Sequence, residues 1–136
     1  MKTLVLWDID GTLVLTGRAG MRALDRAARD VCGRSDLLTG IEFAGRTDRA
    51  IINEALTRLD DDVPADVFDR VRDRYCAYLG EEVLAETPHP KLVLPGVADA
   101  LDRLESEARR GAVAVGLLTG NFARGAEIKL GYFDLW

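Results

Sequence analysis

The sequence has few of the residues that mark several common protein classes. Its 136 residues include one histidine, His89, and two cysteines, Cys32 and Cys76, which do not form a CxxC pair. A zinc site is therefore not expected, and two thiols without a secretory signal predict a reduced, cytoplasmic protein. No apolar stretch approaches the roughly 18 residues that a membrane span needs, so we expect no membrane partner.

Positive charge is also scarce. Lysine and arginine together number 18 against 23 acidic residues, giving a net charge of -5 and a pI near 4.9. This balance makes nucleic acid a poor partner, although a local cluster of amides and cations can still bind a small anion. Hydrophobic residues at 48% and charged residues at 30% are typical of a globular chain with one domain, or one domain with an insertion.

Two apolar runs, residues 3–9 and 112–118, are each followed by a glycine and are the only two convincing strands. Their nearly continuous apolar character predicts strands buried on both faces, as in a parallel sheet. The chain between them has helical periodicity almost throughout. Helices are predicted from about Met21 to Gly33, after a cap at Thr47 or Asp48, over residues 65–84, from Pro95 to Gly111, and over residues 123–130.

This order predicts an α/β protein with a Rossmann-like parallel sheet. The helices from about residue 18 to 86 are too many for a single crossover. We therefore expect residues 17–86 to form an inserted helical cap, and residues 1–16 and 87–136 to form an incomplete core.

Two acidic residues, Asp8 and Asp10, follow the first strand and precede Gly11. Residues i and i+2 of a strand point to the same side, and two neighbouring carboxylates repel each other. A divalent cation, or a division into nucleophile and proton donor, would explain their retention. Gly11 permits a sharp turn that leaves backbone amides free for an anion. The alternative is that Asp10-Gly11 is only a turn.

The segment Asp-Ile-Asp-Gly-Thr-Leu at residues 8–13 resembles the first motif, DxDGT[LV], of the haloacid dehalogenase superfamily, and the chain looks phosphoglycolate phosphatase-like. The resemblance implies that Asp8 attacks phosphorus and that Asp10 serves as general acid and then base. It implies Mg²⁺ bound by the Asp8 carboxylate and the Asp10 carbonyl, and phosphate contacts at Gly11 and Thr12. The second aspartate also indicates phosphate ester chemistry instead of carbon–halogen cleavage.

The second strand ends in Thr119-Gly120-Asn121, which resembles the second motif of the superfamily. The resemblance implies that Thr119 donates to a phosphoryl oxygen, that the Gly120 amide assists, and that Asn121 shapes the turn or reaches substrate. A simple Thr-Gly turn with Asn121 as a helix cap is the alternative.

A cation should stabilise the transferring phosphoryl group, and the lysines are Lys2, Lys91 and Lys129. Lys129 is the candidate for the third-motif lysine, with Arg124 as its competitor. In many relatives that lysine comes later in the chain, in which case Lys129 would be a surface residue.

Residues 43–48, within the expected cap, resemble the substrate-specificity loop of type-1 helical caps, which exclude water and select substrates. Arg46 is the residue suited to pair with an anionic group of the substrate. The alternative is a solvated loop arginine.

The resemblance therefore predicts a Mg²⁺-dependent phosphomonoester hydrolase that acts on a small phosphorylated metabolite through an aspartyl-phosphate. The alternatives are a phosphomutase of the same superfamily, or a non-catalytic phosphate-binding module if the chain truly ends at Trp136. The fourth motif, an acidic pair after a later strand, is absent, so we expect the chain to be C-terminally truncated. Unpaired strand edges and the aromatic C-terminal residues suggest possible self-association.

Overall fold

The computed structural model describes residues 3–60 and 62–136. It is a mixed α/β fold with four strands in two pairs and five helices among these residues. In chain order the elements are β1 (Thr3–Trp7), β2 (Val14–Thr16), α1 (Ala19–Cys32), α2 (Asp48–Leu56), α3 (Val67–Glu82), β3 (Lys91–Val93), α4 (Val97–Arg109), β4 (Val113–Leu117) and α5 (Ala123–Gly131). No helix in the described ranges combines the length and the apolar character required to cross a membrane.

Strands β1 and β4 form a parallel pair, which confirms the two strands predicted from the apolar runs. Thr3 lies opposite Val113, and the register continues to Trp7 opposite Leu117. The parallel arrangement follows from α4, which returns the chain to the same end of the sheet before β4 begins.

The expectation that both strands are buried on both faces is wrong. Leu4 and Leu6 share one face of β1 and are 62% and 47% exposed, whereas Val5 and Trp7 on the other face are partly buried. The two-stranded sheet is too narrow to be covered on both sides by the helices of the described residues. The face that carries Leu4 and Leu6 is the more open one, although Val115 and Leu117 on the other face are also exposed.

The prediction of only two strands is also wrong, because β2 and β3 form a short antiparallel pair. Three residues are too few to give a periodic signal. The pair lies where the chain leaves and re-enters the core, and it is reinforced by hydrogen bonds: Gly17 N–H donates to the Pro90 carbonyl at 2.9 Å. The Lys91 Nζ atom donates to the carbonyls of Val83 and Ala85, both at 2.7 Å, and so ties β3 to the end of α3.

The predicted helices are confirmed, and their ends have clear local causes. Gly33 ends α1 in the left-handed conformation, with φ of 69°, and its amide donates to the Arg29 carbonyl. Thr47 caps the start of α2, because its side-chain oxygen accepts a hydrogen bond from Ala50 N–H at 3.1 Å.

The buried apolar residues form two clusters. The first lies within residues 19–83, and we call α1, α2, α3 and the loops between them the helical block. The second, smaller cluster lies outside the helical block, in the part of the described chain that we call the core. It consists of Ile9, Leu13, Val14, Val97, Ala126 and Leu130. This separation supports our proposal that residues 17–86 are a cap inserted into a core. Phe122 and Ile128 of the core also pack against the first cluster, so the helical block rests on α5 and the loop before it.

Candidate active site

A cavity of about 740 Å³ opens where β1 and β4 end. The two strands are parallel and in register, and Leu118 N–H donates to the Trp7 carbonyl at 2.8 Å, so their carboxyl ends meet at one edge. Ligands of open parallel sheets bind at this edge. The core side of the cavity includes Asp8, Asp10, Leu118, Thr119, Gly120, Asn121 and Lys129. The other side is formed by Thr16, Arg18, Gly20, Met21, Leu24, Phe43, Ala44, Gly45, Arg46, Thr47, Asp48, Ile51 and Tyr75.

Asp10 and Lys129, which are 119 positions apart in the chain, form an ion pair at the base of this cavity. The Lys129 Nζ atom lies 2.9 and 2.8 Å from the two carboxylate oxygens of Asp10. Lys129 is only 4% exposed, because α5 places its side chain under the cavity. Its competitor Arg124, on the same helix, points away and pairs with Glu127 at 2.7 Å. Of the two candidates, the fold therefore brings Lys129 to the acidic pair.

Asn121 connects the ends of the two strands. Its Nδ2 atom donates to Asp10 Oδ2 at 2.8 Å and to Thr119 Oγ1 at 2.7 Å. A carboxylate only accepts hydrogen bonds, so the amide must present its nitrogen to Asp10. The Asn121 Oδ1 atom is buried and has no hydrogen-bond partner in the described part of the chain. An unsatisfied buried acceptor of this kind is uncommon in folded proteins and marks Asn121 as a residue under local constraint.

The Thr119 hydroxyl is prepared to donate. Its oxygen accepts both from the side chain of Asn121 and from the Asn121 backbone amide at 3.2 Å. A hydroxyl has two acceptor positions and one proton, so the proton remains for a third partner. Because Thr119 lines the cavity, an oxygen atom of a bound ligand could accept it.

Gly11 and Thr12 do not line the cavity. Gly11 N–H donates to the Val14 carbonyl at 3.0 Å, and Thr12 N–H donates to the Ile9 carbonyl at 3.2 Å. The expectation that this turn leaves their amides free for an anion is therefore wrong, because the tight turn uses them itself. Gly11 still has a structural reason to be glycine, since its φ is 77°.

Two arginines reach the cavity from the other side. Arg46 lines it as predicted, but its guanidinium forms an ion pair with Glu54 and is directed partly along α2. Arg18, which was not among the predicted site residues, is exposed and lines the cavity from a left-handed backbone conformation with φ of 60°. An anion that binds Arg46 must compete with Glu54.

Asp48 and Tyr75 also line the cavity, and sequence reasoning missed both. Asp48 was predicted only as a possible cap of α2, and Tyr75 falls within the helix predicted over residues 65–84 without a role of its own. Burial raises the pKa of the Asp48 carboxyl. Burial, followed by the negative charge of Asp48, raises the pKa of the Tyr75 hydroxyl well above its usual value. No sequence signal distinguishes these residues from ordinary helix positions, because their partners are distant in the chain.

The donor atoms near Asp8 suit a hard cation in kind. The Asp8 carboxylate is exposed at the cavity. No backbone amide among the described residues donates to the Asp10 carbonyl, whereas the Asp10 carboxylate is engaged by Lys129 and Asn121. These oxygens fit Mg²⁺, which usually takes few protein ligands and keeps several waters. The described residues contain no cluster of three or more metal-binding side chains, so this set supplies part of a site.

Several solved structures share the fold. CbbY from Rhodobacter sphaeroides in complex with phosphate is 22% identical with a TM-score of 0.58, covering 97% of this chain and 57% of that one. A protein named as a predicted phosphoglycolate phosphatase, from Haemophilus somnus, is 18% identical with a TM-score of 0.61, covering 99% and 58%. A CbbY mutant in complex with xylulose-(1,5)bisphosphate is 22% identical with a TM-score of 0.55, covering 96% and 56%.

The chain therefore spans somewhat more than half the length of each of these structures. A comparison with curated proteins gives no significant match to this sequence. The family model of haloacid dehalogenase-like hydrolases matches residues 5–135, almost the whole chain. On that match, the chain belongs to the haloacid dehalogenase-like hydrolase family.

Proposed function

We propose that this chain carries the nucleophile-bearing part of a Mg²⁺-dependent phosphatase that hydrolyses a small phosphorylated metabolite through an aspartyl-phosphate on Asp8. The observation that carries the proposal is the arrangement at the ends of β1 and β4. There, the exposed Asp8 shares a cavity with an Asp10 carboxylate held by Lys129 and Asn121. Family membership supports the same chemistry.

In the proposed reaction Asp8 and Asp10 divide the work. A carboxylate oxygen of Asp8 forms a bond to phosphorus while the bond to the ester oxygen breaks, and the protonated form of Asp10 gives its proton to the departing alcohol. Water then attacks the phosphorus of the aspartyl-phosphate, and Asp10 takes a proton from that water. The bond between the Asp8 oxygen and phosphorus breaks, which releases inorganic phosphate and restores the Asp8 carboxylate. Two moderate barriers replace one high barrier, which is the general advantage of covalent catalysis.

The residues around Asp8 and Asp10 would orient and stabilise these groups. Lys129 and Asn121 hold the Asp10 carboxylate in one position, so that it can transfer a proton at a defined place. The Thr119 hydroxyl is available to donate to a phosphoryl oxygen, and Lys129 adds positive charge close to it.

We propose that the Asp8 carboxylate and the Asp10 carbonyl hold Mg²⁺. The ion would neutralise charge on the phosphoryl oxygens. The fit rests on the oxygen donors described above and on the engagement of the Asp10 carboxylate elsewhere, which leaves its carbonyl as the available ligand.

A cavity of about 740 Å³ suits a small substrate. The neighbouring CbbY structures contain phosphate and xylulose-(1,5)bisphosphate, which supports a phosphorylated ligand here. We retain Arg46 as a candidate contact for a second anionic group. Arg46→Ala should raise KM for substrates with a second anionic group and leave KM unchanged for phosphate esters whose phosphate is the sole anionic group.

We also propose a cytoplasmic location and possible self-association. Cys32 and Cys76 are both free thiols, as a reducing compartment requires.

The open face of β1 exposes Leu4 and Leu6, and such a face can pair with a second copy. A monomer at high concentration in light scattering would remove the proposal of self-association.

The proposed function is tested by assaying the hydrolysis of p-nitrophenyl phosphate with Mg²⁺ and with EDTA. The expected result is turnover only with Mg²⁺, and a loss of about 10³-fold or more in Asp8→Asn, as for the removal of other catalytic nucleophiles. Asp25→Asn is the matched control, because Asp25 makes a surface ion pair with Arg29 on α1. Equal activity of Asp8→Asn and Asp25→Asn would contradict the proposal.

A further inference from the structure

Asp48 makes two hydrogen bonds from the helical block to the core. Its backbone N–H donates to the Gly120 carbonyl at 2.8 Å, and its Oδ2 atom accepts from Phe122 N–H at 3.0 Å. Asp48 begins α2, whereas Gly120 and Phe122 belong to the loop after β4. We call this pair of hydrogen bonds the Asp48 clasp.

The close approach at the clasp depends on Gly120. A Cβ atom at this position would lie 2.8 Å from the Cα atom of Thr47 and 2.9 Å from the carbonyl oxygen of Arg46. Both neighbours are backbone atoms, so they cannot move aside as a flexible side chain can. The loop that contains Arg46, Thr47 and Asp48 therefore lies directly on the loop after β4.

Aromatic packing encloses the clasp. The Phe122 ring packs edge-on against Phe68 and Tyr75 of α3, with ring centroids 6.3 Å apart in both pairs. Tyr75 is buried, and its hydroxyl lies close to the carboxylate of Asp48. The hydrogen bond from Phe122 to Asp48 is part-buried, so it is partly shielded from water, which raises the cost of breaking it.

The position of the clasp in the chain connects it to the candidate active site. Gly120 and Phe122, the two residues that it holds, flank Asn121. Asn121 is the residue whose side chain donates to both Asp10 and Thr119. A shift of the backbone at either neighbour would move the Asn121 amide away from these two partners.

We propose that Asp48 is a positioning residue, which fixes Asn121, and through it Asp10 and Thr119, by holding the loop after β4. The inference rests on the proposed function for its catalytic consequence.

The test compares Asp48→Ala and Asp48→Asn with Asp25→Ala as the matched control. Asparagine keeps an oxygen that accepts from Phe122 N–H, whereas alanine removes it. We expect Asp48→Ala to accelerate hydrogen exchange of the Asn121 and Phe122 amides by about tenfold or more, because their local opening becomes easier. We expect its kcat for p-nitrophenyl phosphate to fall about tenfold to a hundredfold, the range for one lost buried hydrogen bond.

Asp48→Asn should stay within about threefold of the unchanged protein in both measurements, since its hydrogen bond is retained. A role limited to general stability would lower the melting temperature and leave kcat of the folded protein unchanged. If Asp48→Ala does not fold, Asp48→Leu fills a similar volume without an acceptor and takes its place. Exchange rates and kcat equal to those of Asp25→Ala would overturn the proposal.

The exchange measurement does not depend on catalysis. If the unchanged protein hydrolyses no phosphate ester, the proposed function fails, and the exchange rates still decide whether Asp48 holds the loop. If turnover is present and only the exchange rates are insensitive to Asp48→Ala, the positioning role fails and the phosphatase proposal stands.

Discussion

The helical block and the parallel sheet bury their apolar residues to very different extents. In the helical block, α1, α2 and α3 enclose one continuous cluster that includes Leu79 and Tyr75, both almost fully buried. In the sheet, β1 leaves Leu4 and Leu6 exposed on its open face. The helical block, which is expected to select substrate, thus has its own buried cluster. The sheet that precedes Asp8 has two strands, and its neighbouring residues Phe122 and Ile128 pack against the helical block.

The difference shows where order in the candidate site comes from. Asp8 and Thr119 are set by the register of two strands, but the side chains that orient Asp10 come from α5 and the loop before it. Both of those elements contact the helical block. Packing in the helical block and geometry in the core are therefore linked.

The largest expected effect is on the unfolding free energy, and it compares the same substitution, leucine to alanine, in the helical block and in the sheet. Leu79→Ala empties a fully buried position of the helical block and should cost about 2–5 kcal/mol of unfolding free energy, the sum of lost burial and a cavity. Leu6→Ala, on the open face of β1, should cost less than about 1 kcal/mol. Urea unfolding measures both, and equal losses would break the comparison between the two regions.

The next effect concerns α5, which contacts both regions. Lys129→Met keeps the length and packing of the buried side chain but removes its charge from Asp10. By analogy with the loss of one preorganised stabilising group, kcat should fall about 10²-fold or more. Arg124→Met removes an exposed cation on the same helix and should leave kcat within about twofold. Assays with p-nitrophenyl phosphate distinguish them, and a similar decrease in both would return Arg124 to consideration.

The smallest effect is electrostatic and confined to the helical block. Burial alone would raise the pKa of Glu82, but hydrogen bonds from Arg22 and Arg26 outweigh it and lower that pKa. A carboxyl with a lowered pKa in the folded state stabilises the protein above its unfolded pKa. That stabilisation is lost as the pH falls through the lowered value.

Glu82→Gln should therefore cost about 1 kcal/mol at neutral pH, because its arginine partners are partly exposed and screened. The difference from the unchanged protein should disappear in acid, where Glu82 is protonated in both states. Glu81→Gln, the adjacent and more exposed partner of Arg26, is the control and should cost less. Thermal unfolding at several pH values tests this, and a cost that grows on acidification would contradict the sign.

Much of the fold could be predicted because its signals are local. Apolar runs indicated β1 and β4, and helical periodicity with caps such as Thr47 and stops such as Gly33 indicated the helices. The strands β2 and β3 could not be predicted, since three residues define no period. The exposure of Leu4 and Leu6 could not be predicted either, because an apolar run reports composition and not which face is covered.

The residues of the candidate site that directly follow the two strands could be predicted from the sequence, whereas the contacts between distant parts of the chain could not. Asp8, Asp10 and Thr119 follow strands at the sheet edge where ligands bind. The contact between Asp10 and Lys129 spans 119 positions, and that between Asp48 and Phe122 spans 74, so no spacing rule reveals them. They depend on how the helical block and α5 pack.

The most direct test of the central claim, that Asp8 is the phosphoryl acceptor, is ¹⁹F NMR of the protein with beryllofluoride, an aspartyl-phosphate analogue. We predict a bound fluoride signal in the unchanged protein with Mg²⁺, and no such signal with EDTA or in Asp8→Asn. A bound signal of equal intensity in Asp8→Asn, or none in the unchanged protein with Mg²⁺, would contradict the account.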